Sequence, residues 1–436
     1  MSLTFTDIFC GAGGSSTGLV AAGMELKLAA NHWAKAIETH AANHPNAEHV
    51  CADINNYDMR RLPTTDLLWG SPICTESTPA GGKKRPPTRG QLALLKHGSV
   101  ADAAWERTRA TAYDIIRATE VHRYKAILCE NVVEFATDWE LFTWWRTGME
   151  LLGYNSQITS VSSAHIGDSD NLHAPQWRDR IYIVFTRTGI PLPDLRPTPL
   201  AHCDKCDQDV AAVQSWRNGR TIGKYRQQYD YRCPNTACRH AFVEPYIRPA
   251  ADIIDWTDPG RRIGDRRRPL VESTLARIRA GLAAYSTTDD GLLVPCGGGW
   301  NDSPTSTADP MRTRMANPKG YEALFAPPNI PLQRHPTTPP RNHGLVIPYR
   351  KALPKTTAEP IHTISTKDSA GLLRGGPRLE DCYYRMVQPR EQLLAQRFPA
   401  DYIVRGNQGE QTMQAGNAVS ANVAQWIGKR VAAVLA

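Results

Sequence analysis

Cysteine is scarce in this chain, and long apolar runs are absent from it. Ten cysteines among 436 residues are too few for a disulfide scaffold, so they are better interpreted as thiols and candidate metal ligands. No stretch approaches the roughly 18 consecutive apolar residues of a membrane-spanning helix. The first residues have neither a positive flank nor a long apolar segment, which predicts no signal peptide and a cytoplasmic protein.

The composition, 41% hydrophobic and 22% charged, is typical of a globular protein with two domains. Its charge is unevenly distributed. Residues 1–200 carry 19 Lys and Arg against 21 Asp and Glu, whereas residues 201–436 carry 32 against 22. A near-neutral half followed by a basic half is typical of a catalytic domain beside a domain that binds a polyanion. A basic charge that only maintains solubility is the alternative.

The first 190 residues alternate short apolar runs with helical stretches. The predicted strands are Thr4–Phe9, Leu26–Ala30, Asp66–Trp69, Ala126–Glu130 and Arg180–Thr186, and the predicted helices are Ala34–Asn43 and Val100–His122. Such alternation predicts an α/β fold with a parallel sheet that binds ligands at its carboxyl edge. Beyond residue 190, proline and glycine become frequent. Helical spacing returns at Leu270–Ala284, Gln388–Phe398 and Ala421–Leu435.

Two segments of the second half are similar to each other. Ala308–Thr313 and Ala358–Thr363 share the pattern Ala-acid-Pro-apolar-basic-Thr, about fifty residues apart. The shared pattern indicates two similar strand-and-turn units.

A glycine-rich turn follows the first predicted strand and opens a helix within Asp7–Gly18. Gly11, Gly13 and Gly14 remove the side chains that would keep a ligand away from the backbone. The dinucleotide fingerprint needs Gly or Ala where this chain has Ser16, so a nicotinamide cofactor is disfavoured. A turn without a ligand is the alternative.

The segment Asp66–Thr75 is a second strand that runs into a turn, with Cys74 at the carboxyl edge of the sheet. A cysteine there stands in the place of a nucleophile, although a lone cysteine is more often a buried structural thiol. The next segment, Pro79–Gly90, is basic, which indicates either a loop that closes on phosphates or a solvated run of charge. Its cations are Lys83, Lys84, Arg85 and Arg89.

Charged side chains stand at the ends of two further strands. Glu130 ends a buried strand, where a carboxylate must pair, stay protonated or meet a ligand. Arg178 and Arg180 alternate at the start of another strand and therefore share one face. Guanidinium groups at the same edge would pair with Glu130 or hold a polar substrate. Ordinary ion pairs are the alternative.

In this order and spacing, these segments resemble the C5-cytosine DNA methyltransferase family. The matching motifs are the glycine turn, Pro72-Ile73-Cys74, Glu130-Asn131-Val132, Gln176–Arg180, Arg385–Pro399 and Gly416–Val419. The resemblance covers residues 3–190 and 380–436 and leaves the middle to a variable target-recognition domain. It implies an S-adenosylmethionine-dependent, Rossmann-like α/β domain with a smaller domain beside it.

The resemblance implies a covalent reaction on a cytosine that is flipped out of duplex DNA. Cys74 would add to carbon 6 of the base, because carbon 5 alone is too poor a nucleophile to accept a methyl group. Glu130 would supply a proton or a hydrogen bond at N3. Arg180 would hold the base carbonyl, and Arg178 would orient Glu130. The implied methyl donor is S-adenosylmethionine.

The resemblance also implies a cofactor pocket at the sheet edge. Its residues are Phe9, Gly11, Gly13, Gly14, Asn31, His32, Trp33, Asp53, Ile54, Pro72 and Asn417. Plain core packing is the alternative for the two aromatic rings. The chain departs from the family at two points. Asn31-His32-Trp33 stands where a carboxylate usually holds the ribose hydroxyls, and Ile73 and Thr75 flank Cys74 where the family usually has Pro and Gln.

Four cysteines of the middle region form two closely spaced pairs, Cys203 with Cys206 and Cys233 with Cys238. Two such pairs predict a zinc ribbon with four thiolate ligands at 202–240, in which His202 or His240 could replace one ligand. Four free thiols are the alternative. The segment between the pairs is rich in Arg, Tyr and Gln, which can contact phosphates and base edges, or be a solvated hairpin.

We therefore expect three parts. They are a catalytic, cofactor-binding domain at 1–190, a target-recognition domain at 191–379 and a C-terminal segment at 380–436 that returns to the catalytic domain. The expected partner is double-stranded DNA, with no membrane. The protein is expected to be a monomer that could act beside a cognate restriction endonuclease. Two alternatives stay open, namely the same reaction on RNA cytosine and a DNA-binding protein with a decayed catalytic domain.

Overall fold

The computed structural model describes residues 2–73, 100–285 and 379–436 as continuous chain. Between residues 285 and 379 it describes short segments at 292–296, 305–306, 310–314, 321–326, 345–348, 355–356, 361–364 and 369–374. Cys74, Thr75 and the basic segment Pro79–Gly90 lie outside the described residues.

The amino-terminal part of the chain forms strands β1–β8 and helices α1–α5. The strands are β1 Thr4–Ile8, β2 Glu25–Asn31, β3 Glu48–Cys51, β4 Leu67–Gly70, β5 Ala126–Asn131, β6 Tyr154–Ser162, β7 Gln176–Trp177 and β8 Asp179–Arg187. The helices are α1 Gly14–Ala21, α2 Ala34–Asn43, α3 Val100–His122, α4 Val133–Thr137 and α5 Phe142–Leu151.

Seven of these strands form one sheet in the order β3-β2-β1-β4-β5-β8-β6. The predicted parallel arrangement is confirmed for β1 to β5. In contrast, β8 runs antiparallel to both β5 and β6. The chain returns from β6 to β8 without a crossover helix, and strands connected in this way pair antiparallel.

The two faces of the sheet are covered by different helices. Leu68 of β4 packs on one face in the same apolar cluster as Ile115 of α3. The adjacent Leu67 points to the opposite face, where it shares a cluster with Leu19 of α1 and Ile427 of the C-terminal helix. These three layers confirm the predicted α/β class and leave the carboxyl edge of the sheet for a site.

The remaining described chain forms strands β9–β23 and helices α6–α9. The strands are β9 Leu200–Cys203, β10 Gln208–Ala211, β11 Val213–Trp216, β12 Tyr229–Arg232, β13 Phe242–Val243, β14 Arg261–Arg262, β15 Leu292–Cys296, β16 Thr305–Ser306, β17 Met311–Arg314, β18 Tyr321–Ala326, β19 Leu345–Pro348, β20 Lys355–Thr356, β21 Ile361–Ile364, β22 Ser369–Arg374 and β23 Tyr383–Met386. The helices are α6 Glu272–Tyr285, α7 Pro389–Leu394, α8 Gln408–Asn417 and α9 Ala421–Leu435. Among the described helices, none has the length and the hydropathy needed to cross a bilayer.

The two similar segments of the sequence pair with each other in the fold. β17 and β21 run parallel, with Met311 opposite Ile361 and Thr313 opposite Thr363, which are equivalent residues of the shared pattern. The flanking strands repeat this relation, because β15 pairs with β20 of the other unit as β19 pairs with β16. The two units therefore interlock through an internal two-fold relation.

A buried ion pair ties the C-terminal segment together. Arg385 donates to Glu391 through Nη1 at 2.9 Å and through Nη2 at 2.7 Å, and both side chains are almost fully buried. Glu391 also accepts the backbone N–H groups of Asp255 and Gln388, each at 2.7 Å. All lone pairs of this carboxylate thus face donors, which offsets the cost of burying its charge.

We predict that Glu391→Gln destabilises the protein by about 3 to 5 kcal/mol, because the buried guanidinium of Arg385 would keep only the exposed Asp258, 3.5 Å away, as a counter-charge. Urea unfolding measures this change in the free energy of unfolding. The matched control is Glu38→Gln, which breaks the exposed Lys35–Glu38 pair and should cost less than about 1 kcal/mol. Equal costs for the two variants would contradict the assignment.

Candidate active site

The carboxyl ends of the parallel strands meet at one edge of the sheet. The register places Ile8 of β1 beside Ala30 of β2 and Gly70 of β4, and the Cys10 N–H donates to the Ala30 carbonyl at 3.0 Å. Because β8 is antiparallel, its first residues lie at this same edge. The loops that carry the predicted site residues therefore share one edge.

Glu130 at the end of β5 is paired with Arg180 at the start of β8. Arg180 Nε lies 3.1 Å from Glu130 Oε1, and the two side chains are 13% and 9% exposed. This Glu130 oxygen is buried, and no described residue gives it a hydrogen bond of good geometry. A buried acceptor in this state costs free energy, so the oxygen is suited to a donor on a bound ligand.

Arg178 connects the same edge to the C-terminal motif. Its Nη2 donates to the Ala418 carbonyl at 2.7 Å and its Nη1 to the Gly416 carbonyl at 3.5 Å, and the side chain is buried. We expected Arg178 to orient Glu130 and Arg180 to hold a base carbonyl. In the structure, Arg180 contacts Glu130, and Arg178 fixes the backbone of Gly416–Val419.

The turn that leads to Cys74 is braced from two sides. Asn131 Nδ2 donates to the Pro72 carbonyl at 3.1 Å, and the Ile73 N–H donates to Thr111 Oγ1 of α3 at 3.0 Å. In the sequence, Asn131 stands out only as part of a motif, and no pattern points to Thr111. Both contacts hold the backbone immediately before Cys74, which itself lies outside the described residues.

The glycine turn after β1 contains three residues with positive φ angles, which residues other than glycine rarely adopt. Phe9, Gly11 and Gly13 have φ angles of 67°, 53° and 94°. A Cβ on Gly11 would meet only a carbonyl oxygen at 4.0 Å, so this residue borders open space. A Cβ on Gly14 would lie 1.9 Å from the Val419 carbonyl oxygen. Gly11 therefore leaves room for a ligand, whereas Gly14 permits the C-terminal segment to pack closely.

A buried polar chain behind the glycine turn was not found from the sequence. Asp7 Oδ2 accepts hydrogen bonds from Ser15 Oγ at 2.5 Å and Ser16 Oγ at 2.6 Å. His40 Nε2 lies 3.0 Å from Ser16 Oγ, and His40 Nδ1 lies 2.9 Å from His49 Nε2. Burial raises the pKa of Asp7 to about 7 and lowers the pKa of His40 well below its usual value. These linked hydrogen bonds fix the first turn of α1.

The loops after β2 and β3 carry most of the other predicted cofactor residues. Asn31 is buried, and its Oδ1 accepts the Trp33 N–H at 2.9 Å. Its Nδ2 makes no hydrogen bond within the described chain and is available to a ligand oxygen. Asp53 is exposed and accepts the N–H two residues further on at 3.1 Å, which caps a short 3₁₀ turn. His32 and Asn417 are exposed, and Ile54 is buried.

The four cysteines predicted as metal ligands converge in the structure. The sulfur atoms of Cys203, Cys206, Cys233 and Cys238 all lie within 4.8 Å of one another. Zinc in a tetrahedral thiolate site lies about 2.3 Å from each sulfur, and such spacing accommodates it. A hydrogen bond from the Ala241 backbone lowers the pKa of Cys238 to about 7 and favours its thiolate, whereas burial raises the pKa of Cys233 to about 12. This cluster can bind a metal ion.

A model of the C-5 cytosine-specific DNA methylase family matches residues 3–433. The chain is 26% identical over 193 residues to the Type II methyltransferase M.AgeI of Thalassovita gelatinovora, which covers 42% of this chain and 39% of that protein. It is 32% identical over 91 residues to the Type II methyltransferase M.HgiGI of Herpetosiphon aurantiacus, which covers 20% of this chain and 72% of that protein. The segment that matches M.AgeI thus spans less than half the length of that protein.

The solved structures that resemble this chain share little sequence identity with it. A Spodoptera frugiperda DNMT2 mutant is 14% identical with a TM-score of 0.49 and covers 99% of both chains. The S. pombe Dnmt2 methyltransferase is 13% identical with a TM-score of 0.48 and covers 100% of this chain and 99% of its own.

We predict that Asp7→Asn changes how stability depends on pH. The folded-state pKa of Asp7, about 7, is above its unfolded value, so the folded protein stays protonated at Asp7 to a higher pH than the unfolded chain. The protein therefore loses stability as pH rises from about 4 to about 7. Asn cannot ionise, yet its Oδ1 can still accept from both serines. The wild type should therefore lose stability relative to the variant across this range, by an amount on the order of 4 kcal/mol.

Urea unfolding of both proteins at several pH values between 4 and about 8 measures the difference. Asp401→Asn is the control, because Asp401 is exposed, forms no ion pair among the described residues and should give a difference that does not vary with pH. A pH-independent difference for Asp7→Asn would show that the carboxyl is ionised in the folded protein.

Proposed function

Because this chain belongs to the family of C-5 cytosine-specific DNA methylases, we propose that it transfers a methyl group to carbon 5 of cytosine in a specific sequence of double-stranded DNA. The observation that carries the proposal is the buried Glu130–Arg180 pair at the sheet edge, in which one carboxylate oxygen lacks a hydrogen bond. This oxygen can bind a donor of a base that has left the DNA stack.

Cys74 would be the nucleophile of the reaction. Its thiolate would add to carbon 6 of the base, which makes carbon 5 electron-rich enough to take up a methyl group. Protonated Glu130 would give its proton or a hydrogen bond to N3, which offsets the negative charge that the thiolate brings to the ring, and its carboxylate would stay paired with Arg180. Loss of the proton on carbon 5 would then expel Cys74. The hydrogen bonds to Pro72 and Ile73 support this role, because they fix the backbone directly before the thiol.

S-adenosylmethionine would supply the methyl group. Such a cofactor would lie in the open space beside Gly11. It would be bordered by the amide of Asn31 and the ring of Trp33. An amide in place of a carboxylate at the end of β2 can still donate to a ribose hydroxyl. The start of α1 would favour the carboxylate of the methionine end, because helix N-termini attract anions.

Residues 191–379 would be a target-recognition domain between a catalytic domain at 1–190 and a C-terminal segment at 380–436. Their excess of basic residues suits a polyanion, and a variable insert of this size with a zinc module favours duplex DNA over RNA as the partner. The protein would act as a monomer in the cytoplasm, beside a cognate restriction endonuclease. A decayed enzyme is disfavoured, because Glu130 and Arg180 remain paired and the turn before Cys74 remains braced.

We also propose that the four-cysteine cluster holds one structural zinc ion. The strands around it, β9 to β13, have a small apolar core that consists mainly of tyrosines and the cysteines themselves. A core of this size is usually too small to fold without a metal or a disulfide.

We predict that Cys74→Ala lowers methyl transfer by at least about 1,000-fold and leaves DNA binding largely intact, because only the covalent step is lost. Transfer of labelled methyl groups from S-adenosylmethionine to DNA and to RNA measures the activity and its substrate together. Wild-type protein should form a stable covalent complex with DNA that contains 5-fluorocytosine, since fluorine cannot leave as the proton does, and none with ordinary DNA.

Residual turnover of Cys74→Ala within about tenfold of wild type would refute the role of this thiol. Tight DNA binding by wild type without a trapped complex would favour the decayed enzyme. Methylation of RNA alone would move the proposal to the RNA alternative.

We predict about one zinc ion for each chain, because four thiolates satisfy one tetrahedral ion. Metal analysis by mass spectrometry should show its loss from the variant with Cys203→Ser and Cys206→Ser. The control is Cys51→Ser, an exposed thiol outside the cluster, which should retain the metal. Unchanged zinc content in the double variant would refute the site.

A further inference from the structure

Residues 200–246, which surround the four cysteines, form the ribbon. Its turn Gly223–Arg226 faces the catalytic sheet. Lys224 Nζ lies 2.5 Å from Glu134 Oε1, with side chains 29% and 13% exposed. The Tyr225 N–H donates to Asp179 Oδ1 at 3.1 Å. One short turn of the ribbon therefore contacts two separate elements of the amino-terminal part, helix α4 and strand β8.

Both contacted residues adjoin the candidate catalytic pair. Glu134 lies in α4, which begins directly after the Glu130-Asn131-Val132 motif. Asp179 is the first residue of β8 and stands immediately before Arg180. A displacement of Glu134 or Asp179 would therefore move the backbone that carries Glu130 or Arg180.

The remaining contacts of the turn show that it is fitted closely to the sheet. The Gly223 N–H donates to Ser160 Oγ at 3.2 Å, and Gln214 Nε2 of the ribbon donates to the Ser160 carbonyl at 2.8 Å. The ring of Tyr225 stacks on Trp177, with centroids 5.7 Å apart and an angle of 19° between the planes. Backbone, side-chain and aromatic contacts all hold the turn in one place.

The turn is also connected to the cysteine cluster. The Arg226 N–H donates to the Tyr229 carbonyl at 2.8 Å, which anchors the turn to β12. This strand ends at the residue before Cys233, and its Tyr229 and Tyr231 are fully buried against the cluster. A metal ion that fixes Cys233 would thereby also fix the turn.

We propose that the ribbon, through its turn Gly223–Arg226, positions the Glu130–Arg180 pair of the methyl-transfer centre. The proposal rests on the proposed methyl transfer. Lys224 and Tyr225 act through Glu134 and Asp179 and are positioning residues. The sequence left the polar side chains of this segment open between DNA contacts and a solvated hairpin, and the structure pairs Lys224 with a carboxylate of the protein itself.

Exchange of the two charges tests the proposal. Lys224→Met and Glu134→Gln should each lower the single-turnover methylation rate by about 10- to 100-fold, because small displacements of reacting groups have effects of this size. The dissociation constant for target DNA and the zinc content should stay near those of wild type. The double variant Lys224→Glu with Glu134→Lys should recover most of the rate, and Lys224→Arg should retain it.

The matched control is Lys205→Met, which removes an exposed ribbon cation that has no ion pair among the described residues. Its rate and its dissociation constant should equal those of wild type. If Lys224→Met weakens DNA binding and leaves the single-turnover rate unchanged, the turn is a DNA contact and the proposal is overturned. Failure of the charge exchange to recover the rate would overturn it as well.

Amide hydrogen exchange gives a readout that does not depend on the reaction. Lys224→Met should speed exchange at Val132–Phe135 and Asp179–Ile181 by roughly tenfold, while β1 and β4 stay as protected as in wild type. Unchanged exchange at both segments would overturn the proposal even if wild type transferred no methyl group. An inactive wild type with the expected exchange would refute only the proposed function.

Discussion

The antiparallel pairing of β8 with β5 is the constraint on which the candidate site depends. A parallel β8 would place Arg180 at the opposite edge of the sheet, far from the end of β5. In the observed register, Glu130 lies opposite Tyr182, and Arg180 is its diagonal neighbour on the same face. A single reversal of strand direction therefore turns two ordinary strand ends into a buried carboxylate–guanidinium pair.

The glycine turn shows a second constraint, since its glycines serve two different neighbours. Gly11 borders open space, whereas Gly14 and Gly18 allow the C-terminal segment to approach α1 at distances that any Cβ would forbid. The C-terminal segment is thus packed against the glycine turn itself. Loss of packing of α9 would therefore disturb the start of α1 directly, although the two helices are separated by most of the chain.

The sequence was sufficient for the elements and for the motifs, but not for the partners of buried polar groups. Helices Ala34–Asn43, Val100–His122 and Ala421–Leu435 were predicted with the observed bounds, because their apolar spacing is regular and continuous. The hydrogen-bond partners of Arg178 and Asp7 were not predictable, since they lie on chain segments far away in sequence or on a helix whose orientation only the fold defines. The four cysteines were predictable, because local turns set their spacing.

The segment Gln176–Arg180 explains why these parts form one site. Gln176 lies opposite Met311 and Ile361 of the two interlocked units, Arg178 holds the C-terminal motif, and Arg180 meets Glu130. Asp179 accepts a hydrogen bond from the ribbon. Five consecutive residues thus contact the interlocked units, the C-terminal motif, the end of β5 and the ribbon. Alternate side chains of an extended segment point in opposite directions, so such a segment can bind different partners on its two sides without bending. A change in the two interlocked units or in the ribbon would therefore reach the Glu130–Arg180 pair through this one segment.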